Sequence, residues 1–197
     1  LSALAEKTFV ENHKNLIHVS IHAGVGAGII LDHHLYTGLA GTAGEAGHMI
    51  VQPGGRSCPC GNHGCLEQYI SEPAVLSRYQ ELSGRTTVSI DDLVWSYSQK
   101  EADALAVVDE FTTYLACGIN NLWNLFSPEC IILNSQLTAY LPQLLPEILQ
   151  KLSARFRATC QLKLSTLQDT GVLLGAARVC ISKYLGIEKL YFSGFQP

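Results

Sequence analysis

Apolar and polar residues follow two different periods along this chain. Val19 and Ile21 alternate with polar neighbours, so "LIHVSIHAGVGAGIILD" (16–32) predicts two β-strands around a glycine turn. "HMIVQ" (48–52) predicts a further strand, whereas "PGGRSCPCGNHG" (53–64) holds too much glycine and proline for either regular element. The front of the chain is therefore predicted to be rich in β-structure.

Helical periodicity dominates the rest of the chain. Apolar residues recur every three or four positions in 101–126, which predicts one long helix with an apolar stripe. From Phe111 to Phe126 the helix is expected to lie in the core, with an oligomer interface as the alternative. The residues of this stripe are Leu105, Val108, Phe111, Leu115, Ile119 and Leu122. Further helices are predicted in "LSALAEKTF", "CLEQYIS", "EPAVLSRYQELSG", "IDDLVWSYSQ", "LPQLLPEILQKLSARF" and "GVLLGAARVCISKYLG", and strands in "ECIILN" and "QLKLSTL". This order predicts an α/β chain with helices covering a sheet.

The composition is that of a folded domain without a nucleic-acid surface. The chain has 197 residues, of which 47% are hydrophobic and 15% charged, enough to bury one core. Its net charge is −4 and it has no run of basic residues, so this part of the protein gives no indication of binding nucleic acid. No apolar run is long enough to span a membrane, and the first residues lack the pattern of a signal peptide.

The seven cysteines are unevenly spaced. Cys58, Cys60 and Cys65 fall close together, whereas the other four stand alone in apolar segments. This pattern indicates a metal cluster with scattered buried thiols in a reducing cytoplasm, rather than a disulfide framework.

Three cysteines and one histidine make a complete set of ligands for Zn²⁺. His48, Cys58, Cys60 and Cys65 have the spacing H-x9-C-x-C-x4-C, and soft thiolates favour zinc over magnesium or calcium. His63, two residues before Cys65, competes for the fourth position, and the spacing alone favours His48. Four protein ligands leave no position for an activated water, so the zinc is predicted to be structural.

"GEAGHMIVQPGGRSCPCGNHGCLE" resembles the zinc and sugar-binding motif of the ROK family (repressors, open reading frames and sugar kinases). The resemblance implies an α/β fold of the ribonuclease H-like, actin/hexokinase/Hsp70 type with a zinc-binding loop, and it selects His48 over His63. It also implies that Glu45, His48 and Glu67 form hydrogen bonds with sugar hydroxyls. Carboxylates accept such bonds, and an imidazole with one nitrogen on zinc has the other free to donate.

"GVGAG" resembles the second phosphate loop of this family, with Gly24, Gly26 and Gly28 letting the backbone approach an anion. Two departures from the sequence pattern of the family's kinases argue against ATP binding. Ala23 stands where the kinases usually have threonine, and residues 134–136 are Asn-Ser-Gln where the kinases are rich in glycine. Side chains at 134–136 would crowd an adenosine.

The resemblance implies that residues 1–197 are a C-terminal sugar-binding and oligomerisation domain. The first lobe, the Asn-Asp pair with the catalytic Asp, and the winged helix-turn-helix of the repressors would all precede Leu1. No residue of this chain is therefore assigned as catalytic.

We expect a sugar-responsive transcriptional repressor of the N-acetylglucosamine or glucose repressor type, and not an enzyme. Its expected partners are a sugar or amino sugar effector, further copies of itself in a dimer or tetramer, DNA through the preceding domain and, as in some members, a phosphotransferase-system protein. The alternative is an ATP-dependent sugar kinase (glucokinase, fructokinase or N-acetylmannosamine kinase type), which would need ATP and Mg²⁺. A third hypothesis is a scaffold that keeps the zinc and binds neither sugar nor nucleotide.

Overall fold

The computed structural model describes residues 1–10, 12–168 and 170–186. The elements in chain order are α1 (Ser2–Phe9), β1 (Leu16–Ile21), β2 (Val25–Leu31), β3 (His34–Tyr36), α2 (Glu67–Ile70), α3 (Glu72–Ser83), α4 (Ile90–Ser98), α5 (Ala102–Phe126), β4 (Cys130–Ser135), α6 (Gln136–Tyr140), α7 (Leu144–Lys151), α8 (Ala154–Thr159), β5 (Gln161–Leu164) and α9 (Thr170–Leu185). Short 3-10 turns lie at Leu39–Gly41 and Ala46–His48.

The described strands form one five-stranded sheet in the order β3-β2-β1-β4-β5. β1 and β2 form an antiparallel hairpin that continues into β3, while β1 pairs in parallel with β4 and β4 with β5. The antiparallel pairs need only short turns, whereas the parallel β1–β4 pair needs a long crossover, which residues 22–129 supply. The predicted α/β sheet with flanking helices is confirmed.

The larger core lies on one face of the sheet. Ile17, Val19 and Ile21 alternate along β1 and point to this face, where they share one apolar cluster with residues of α3, α4, α5 and α7. The predicted stripe of α5 is buried from Val108 to Leu122. Leu105, near the start of the helix, is 40% exposed. At 100° per residue it lies at the edge of the stripe, about 40° around the helix from Ile119, and α5 begins only three residues before it.

The opposite face of the sheet is covered by α1, and α9 packs against α1. The small cluster on this side holds Ala3, Leu16, Ile30, Cys130 and Ile132. A Cβ on Gly28 would stand 2.4 Å from the Cβ of Ala3, so this glycine lets α1 approach the sheet closely. α9 ends at Gly186, whose φ of +65° fits the glycine stop that the sequence predicted.

Residues 48–52 do not form the predicted strand. They begin in a 3-10 turn, and Ile50 makes only an isolated bridge to Cys65. Val51 donates to the carbonyl of Gly64 at 2.8 Å, and Leu66 donates to Met49 at 2.8 Å. The backbone of this segment therefore pairs with the cysteine loop and not with the sheet.

Residues 141–156 were predicted as one helix and form parts of two. α7 ends before Leu152, whose backbone is extended, and α8 starts one residue after Ser153. The hydroxyl of Ser153 accepts the N–H of Phe156 at 3.1 Å. A serine that caps a helix in this way favours a new start over continuation, because its side chain satisfies a free backbone donor.

Among the helices described, none is long and apolar enough to cross a membrane.

Candidate functional site

The cysteine loop is built around a tight backbone turn and a second backbone bond that closes it. The N–H of Gly61 donates to the carbonyl of Cys58 at 3.0 Å, with Pro59 in the second position of the turn, where its fixed φ is favourable. Cys58 donates in turn to the carbonyl of Asn62 at 2.9 Å. These bonds fold the loop back, so that Cys58 and Cys60 face Cys65.

Gly64 closes the loop. Its φ is +82°, and a Cβ there would stand 1.7 Å from the carbonyl oxygen of Gln52, so only glycine fits. The close approach allows Gln52 and Val51 to bond to the Gly64 carbonyl, which places Cys65 beside the segment that carries His48.

His48, Cys58, Cys60 and Cys65 come together as predicted. Their ligand atoms all lie within 4.8 Å of one another. The sulfurs of Cys60 and Cys65 are 3.7 Å apart, and so are the Cys58 sulfur and Nδ1 of His48. A tetrahedron with metal–sulfur bonds of about 2.3 Å has edges of about 3.8 Å, so the four groups fit a tetrahedral metal ion.

The competing ligand of the sequence analysis lies elsewhere. His63 is exposed and makes an isolated bridge with Ser57. It is not part of the four-residue group, which contains His48 instead.

The environments of the thiols differ in burial. Cys65 is fully buried, and this burial, with the neighbouring thiols, raises its pKa to about 12. Cys60 is exposed, and a hydrogen bond with the backbone of Asn62 lowers its pKa. A buried thiolate needs a cation beside it, which a bound metal supplies. Gln68 donates its side-chain amide to the Cys58 sulfur at 3.6 Å, a contact that favours the thiolate.

His48 also links the cysteine cluster to Glu45. Its Nδ1 faces Cys58, while Nε2 lies 3.9 Å from Oε2 of Glu45, whose side chain is 70% exposed. Because the two nitrogens lie on opposite sides of the ring, a metal on Nδ1 leaves Nε2 as an N–H donor toward solvent and Glu45.

Glu67 stands in the first residue of α2 and reaches the start of β2. Its Oε2 accepts the backbone N–H of Val25 at 2.9 Å. A Cβ on Gly24 would lie 3.1 Å from the same oxygen, so the glycine keeps this approach open. Of the three glycines assigned to a phosphate loop, only Gly24 lies in the turn before β2; Gly26 and Gly28 lie within the strand.

A polar cavity of about 360 Å³ lies at the carboxyl ends of the parallel strands β1 and β4. His22 bonds to Glu72 there through Nδ1 and Oε1 at 3.3 Å. Asn134 donates to the carbonyl of Gln168 at 3.3 Å, and Gln136 to the hydroxyl of Tyr140 at 3.3 Å. Side chains line the region where the kinases were expected to have glycine.

Sequence reasoning missed Arg56, Gln68 and Glu110. Arg56 bonds to Glu110 at 2.5 Å across 54 positions, and Gln68 touches a cysteine sulfur. The one feature in the sequence that points to Arg56 is its position within the cysteine loop, and nothing local identifies Glu110 in the middle of a long helix.

The mixed sheet with its helices matches the actin-like α/β fold of a ROK sugar kinase and a ROK regulator of known structure. A model described as the ROK family matches residues 1–183. The chain belongs to the ROK family, as the motif around the cysteines predicted.

The most similar proteins include regulators and a kinase. The xylose repressor of Bacillus spizizenii is 34% identical over 194 residues, covering 95% of this chain and 50% of the repressor. The structure of a ROK family transcriptional regulator, a homologue of the Escherichia coli MLC protein, has a TM-score of 0.77 and 32% identity, covering 94% of this chain and 51% of that one. The ROK hexokinase from Thermus thermophilus gives a TM-score of 0.78 at 25% identity, covering 92% and 63%. The chain spans about half the length of the curated relatives it matches.

Proposed function

We propose that this chain is the effector-binding part of a sugar-responsive transcriptional repressor, with a structural Zn²⁺ held by His48, Cys58, Cys60 and Cys65. The observation that carries the proposal is the double use of His48, whose one ring nitrogen faces the cysteines while the other faces Glu45. The repressors among the relatives, at 34% identity over almost the whole chain, support the same function.

The site can recognise a sugar by its pattern of hydroxyls. Glu45 accepts hydrogen bonds, while Nε2 of His48 donates one, so a hydroxyl between them could satisfy both groups across their 3.9 Å separation. One carboxylate oxygen of Glu67 accepts the backbone N–H of Val25, and we propose that the other accepts a hydrogen bond from the ligand. Such charge-assisted bonds distinguish sugars that differ in one hydroxyl.

The cavity at the ends of β1 and β4 favours the repressor over the kinase. The carboxylate of Glu72 lines it beside His22, and a nucleotide phosphate there would face a negative charge. The residues at 134–136 add amide and hydroxyl side chains where a nucleotide would need free space. The similarity to the Thermus thermophilus hexokinase supports the alternative, an ATP-dependent sugar kinase with Mg²⁺.

Repression would be controlled by a shift of population. A sugar that binds one conformation better than another moves the equilibrium toward that conformation, and so changes the fraction able to hold DNA. DNA would be held through another part of the protein, in a homo-oligomer, and a phosphotransferase-system protein is a further candidate partner.

The test uses the full-length protein, zinc analysis and calorimetry against xylose, glucose and N-acetylglucosamine. We expect one equivalent of zinc and one sugar that binds at least tenfold more tightly than the others. The same sugar should release the protein from its own promoter in a footprinting assay. Sustained formation of sugar phosphate from ATP would establish the kinase instead, and zinc without any sugar binding would establish the scaffold.

A further inference from the structure

Helix α2 contains Glu67 and Gln68 and is too short to be stable as an isolated helix. It has four residues, and no side chain caps its first turn. Isolated helices become stable only beyond about 12 residues, so contacts from outside must fix this turn. The direction of the Glu67 carboxylate depends on those contacts.

Arg56 supplies most of the contacts that α2 receives from the cysteine loop. Its Nη1 donates to the carbonyl of Gln68 at 2.8 Å, and its backbone N–H donates to the hydroxyl of Tyr69 at 3.0 Å. Its guanidinium also lies over the Tyr69 ring, 4.5 Å from the centroid. Two of the four residues of α2, Gln68 and Tyr69, therefore contact Arg56, and Glu67 directly precedes Gln68.

Glu110 of helix α5 holds Arg56 in place. One carboxylate oxygen accepts Nη2 of Arg56 at 2.5 Å, and the other accepts Nε of Arg78 at 3.1 Å. On the far side of Tyr69, the ring of Tyr114 stacks at 4.0 Å, so α2 is enclosed between the loop and α5. The Arg56 and Glu110 side chains are 35% and 24% exposed, which limits screening by water.

We propose that Arg56, anchored by Glu110, is the positioning residue of the metal and effector site. Arg56 holds α2 in place by binding the carbonyl of Gln68. The side-chain amide of Gln68 donates to the Cys58 sulfur, and the preceding residue is Glu67, whose carboxylate accepts from Val25. The planar guanidinium bonds to Gln68 and Glu110 through two different nitrogens held in a fixed fork, whereas a lysine ammonium offers a single nitrogen on a flexible stem. The sugar part of this inference rests on the proposed function, whereas the metal part does not.

Arg85 provides a matched control, because it makes the same kinds of contact elsewhere. It pairs with Glu101 at 3.0 Å, lies 5.5 Å over the ring of Tyr79 and bonds to Ser96. A substitution there removes an ion pair and a ring contact without touching the cysteine loop.

The experiment compares zinc release to a chelating dye from the intact wild-type protein and from the Arg56→Gln, Arg56→Lys, Glu110→Gln and Arg85→Gln variants, well below their melting temperatures. We expect release at least tenfold faster from Arg56→Gln and Glu110→Gln, intermediate for Arg56→Lys, and within twofold of wild type for Arg85→Gln. The visible spectrum of the Co²⁺-substituted protein should change in Arg56→Gln and Glu110→Gln and stay as in the wild type in Arg85→Gln. Should Arg56→Gln fail to fold, Glu110→Gln and Arg56→Lys decide the outcome.

Equal zinc release and equal Co²⁺ spectra in the Arg56 and Arg85 variants would overturn the proposal. Sugar affinity adds a second measurement, in which Arg56→Gln should weaken binding at least tenfold. A wild-type protein that binds no sugar would refute the proposed function. The zinc-release measurement would then still test whether Arg56 positions the metal site.

Discussion

The backbone N–H of Val25 donates to the Glu67 carboxylate at 2.9 Å, across 42 positions of the chain. This bond joins the glycine turn before β2 to the end of the cysteine motif. The bond therefore connects two segments that lie apart in the sequence. It fixes one carboxylate oxygen of Glu67, and the other oxygen does not take part in the bond to Val25.

Replacing Glu67 with Gln should weaken sugar binding while zinc remains. The amide oxygen can still accept from Val25, but a charged acceptor for a sugar hydroxyl is lost, and such bonds contribute about 1.5–3 kcal/mol. We expect affinity to fall by roughly 10- to 100-fold in calorimetry, with one zinc per chain still present. Unchanged affinity would remove Glu67 from the proposed site.

Replacing Cys60 with Ser should release the metal and abolish the response to sugar. Three remaining ligands hold zinc less tightly, and the imidazole of His48 loses its fixed orientation. Cys180→Ser is the control, because Cys180 is also exposed and lies outside the cluster. Metal analysis and calorimetry on both variants measure the effect. Full sugar binding by a zinc-free Cys60→Ser protein would separate the two sites.

Two glycines of the loop should tolerate alanine very differently. Gly61 and Gly64 both have positive φ, +95° and +82°, so alanine costs about 1–2 kcal/mol at either position. At Gly61 the added methyl meets nothing within 4 Å, whereas at Gly64 it would collide with the Gln52 carbonyl. We expect Gly64→Ala to lose zinc and Gly61→Ala to keep it. Equal zinc content in the two variants would show that the loop adjusts to the collision.

His18 should make stability depend on pH. It lies in the middle of β1, is 2% exposed, and its Nε2 has no hydrogen-bond partner. Burial lowers its pKa from 6.5 to about 4. Between these values the unfolded chain binds a proton that the folded chain does not, so stability should fall as pH drops from about 6.5 to 4, by about 3 kcal/mol in all.

Denaturant unfolding at pH 7.5, 5.5 and 4.5 measures this dependence, with His18→Asn as the comparison. The difference in free energy of unfolding between the two proteins should shrink or reverse in favour of the variant as the pH falls. A constant difference would mean that His18 is not the group responsible.

The local periods of the chain were sufficient to predict β1, β2, β4 and the long helix α5. Those periods arise because one side of a strand or helix meets the core, and residues two, three or four positions apart share that side. The cluster of three cysteines was predictable for a similar reason, since their covalent spacing keeps the sulfurs within reach of one ion. The spacing favoured His48 over His63, and the family resemblance selected it.

The tertiary structure decided what depends on partners far apart in the chain. Residues 48–52 have the composition of a strand, but their donors and acceptors pair with the cysteine loop. The period of α5 predicts whether Glu110 is buried or exposed. It does not predict that the Glu110 carboxylate binds Arg56, which lies 54 positions away in the chain. Composition and spacing identify which groups can bind a metal or a sugar. Only the packed sheet and helices determine which of them meet, because these contacts form between segments whose relative position no local pattern encodes.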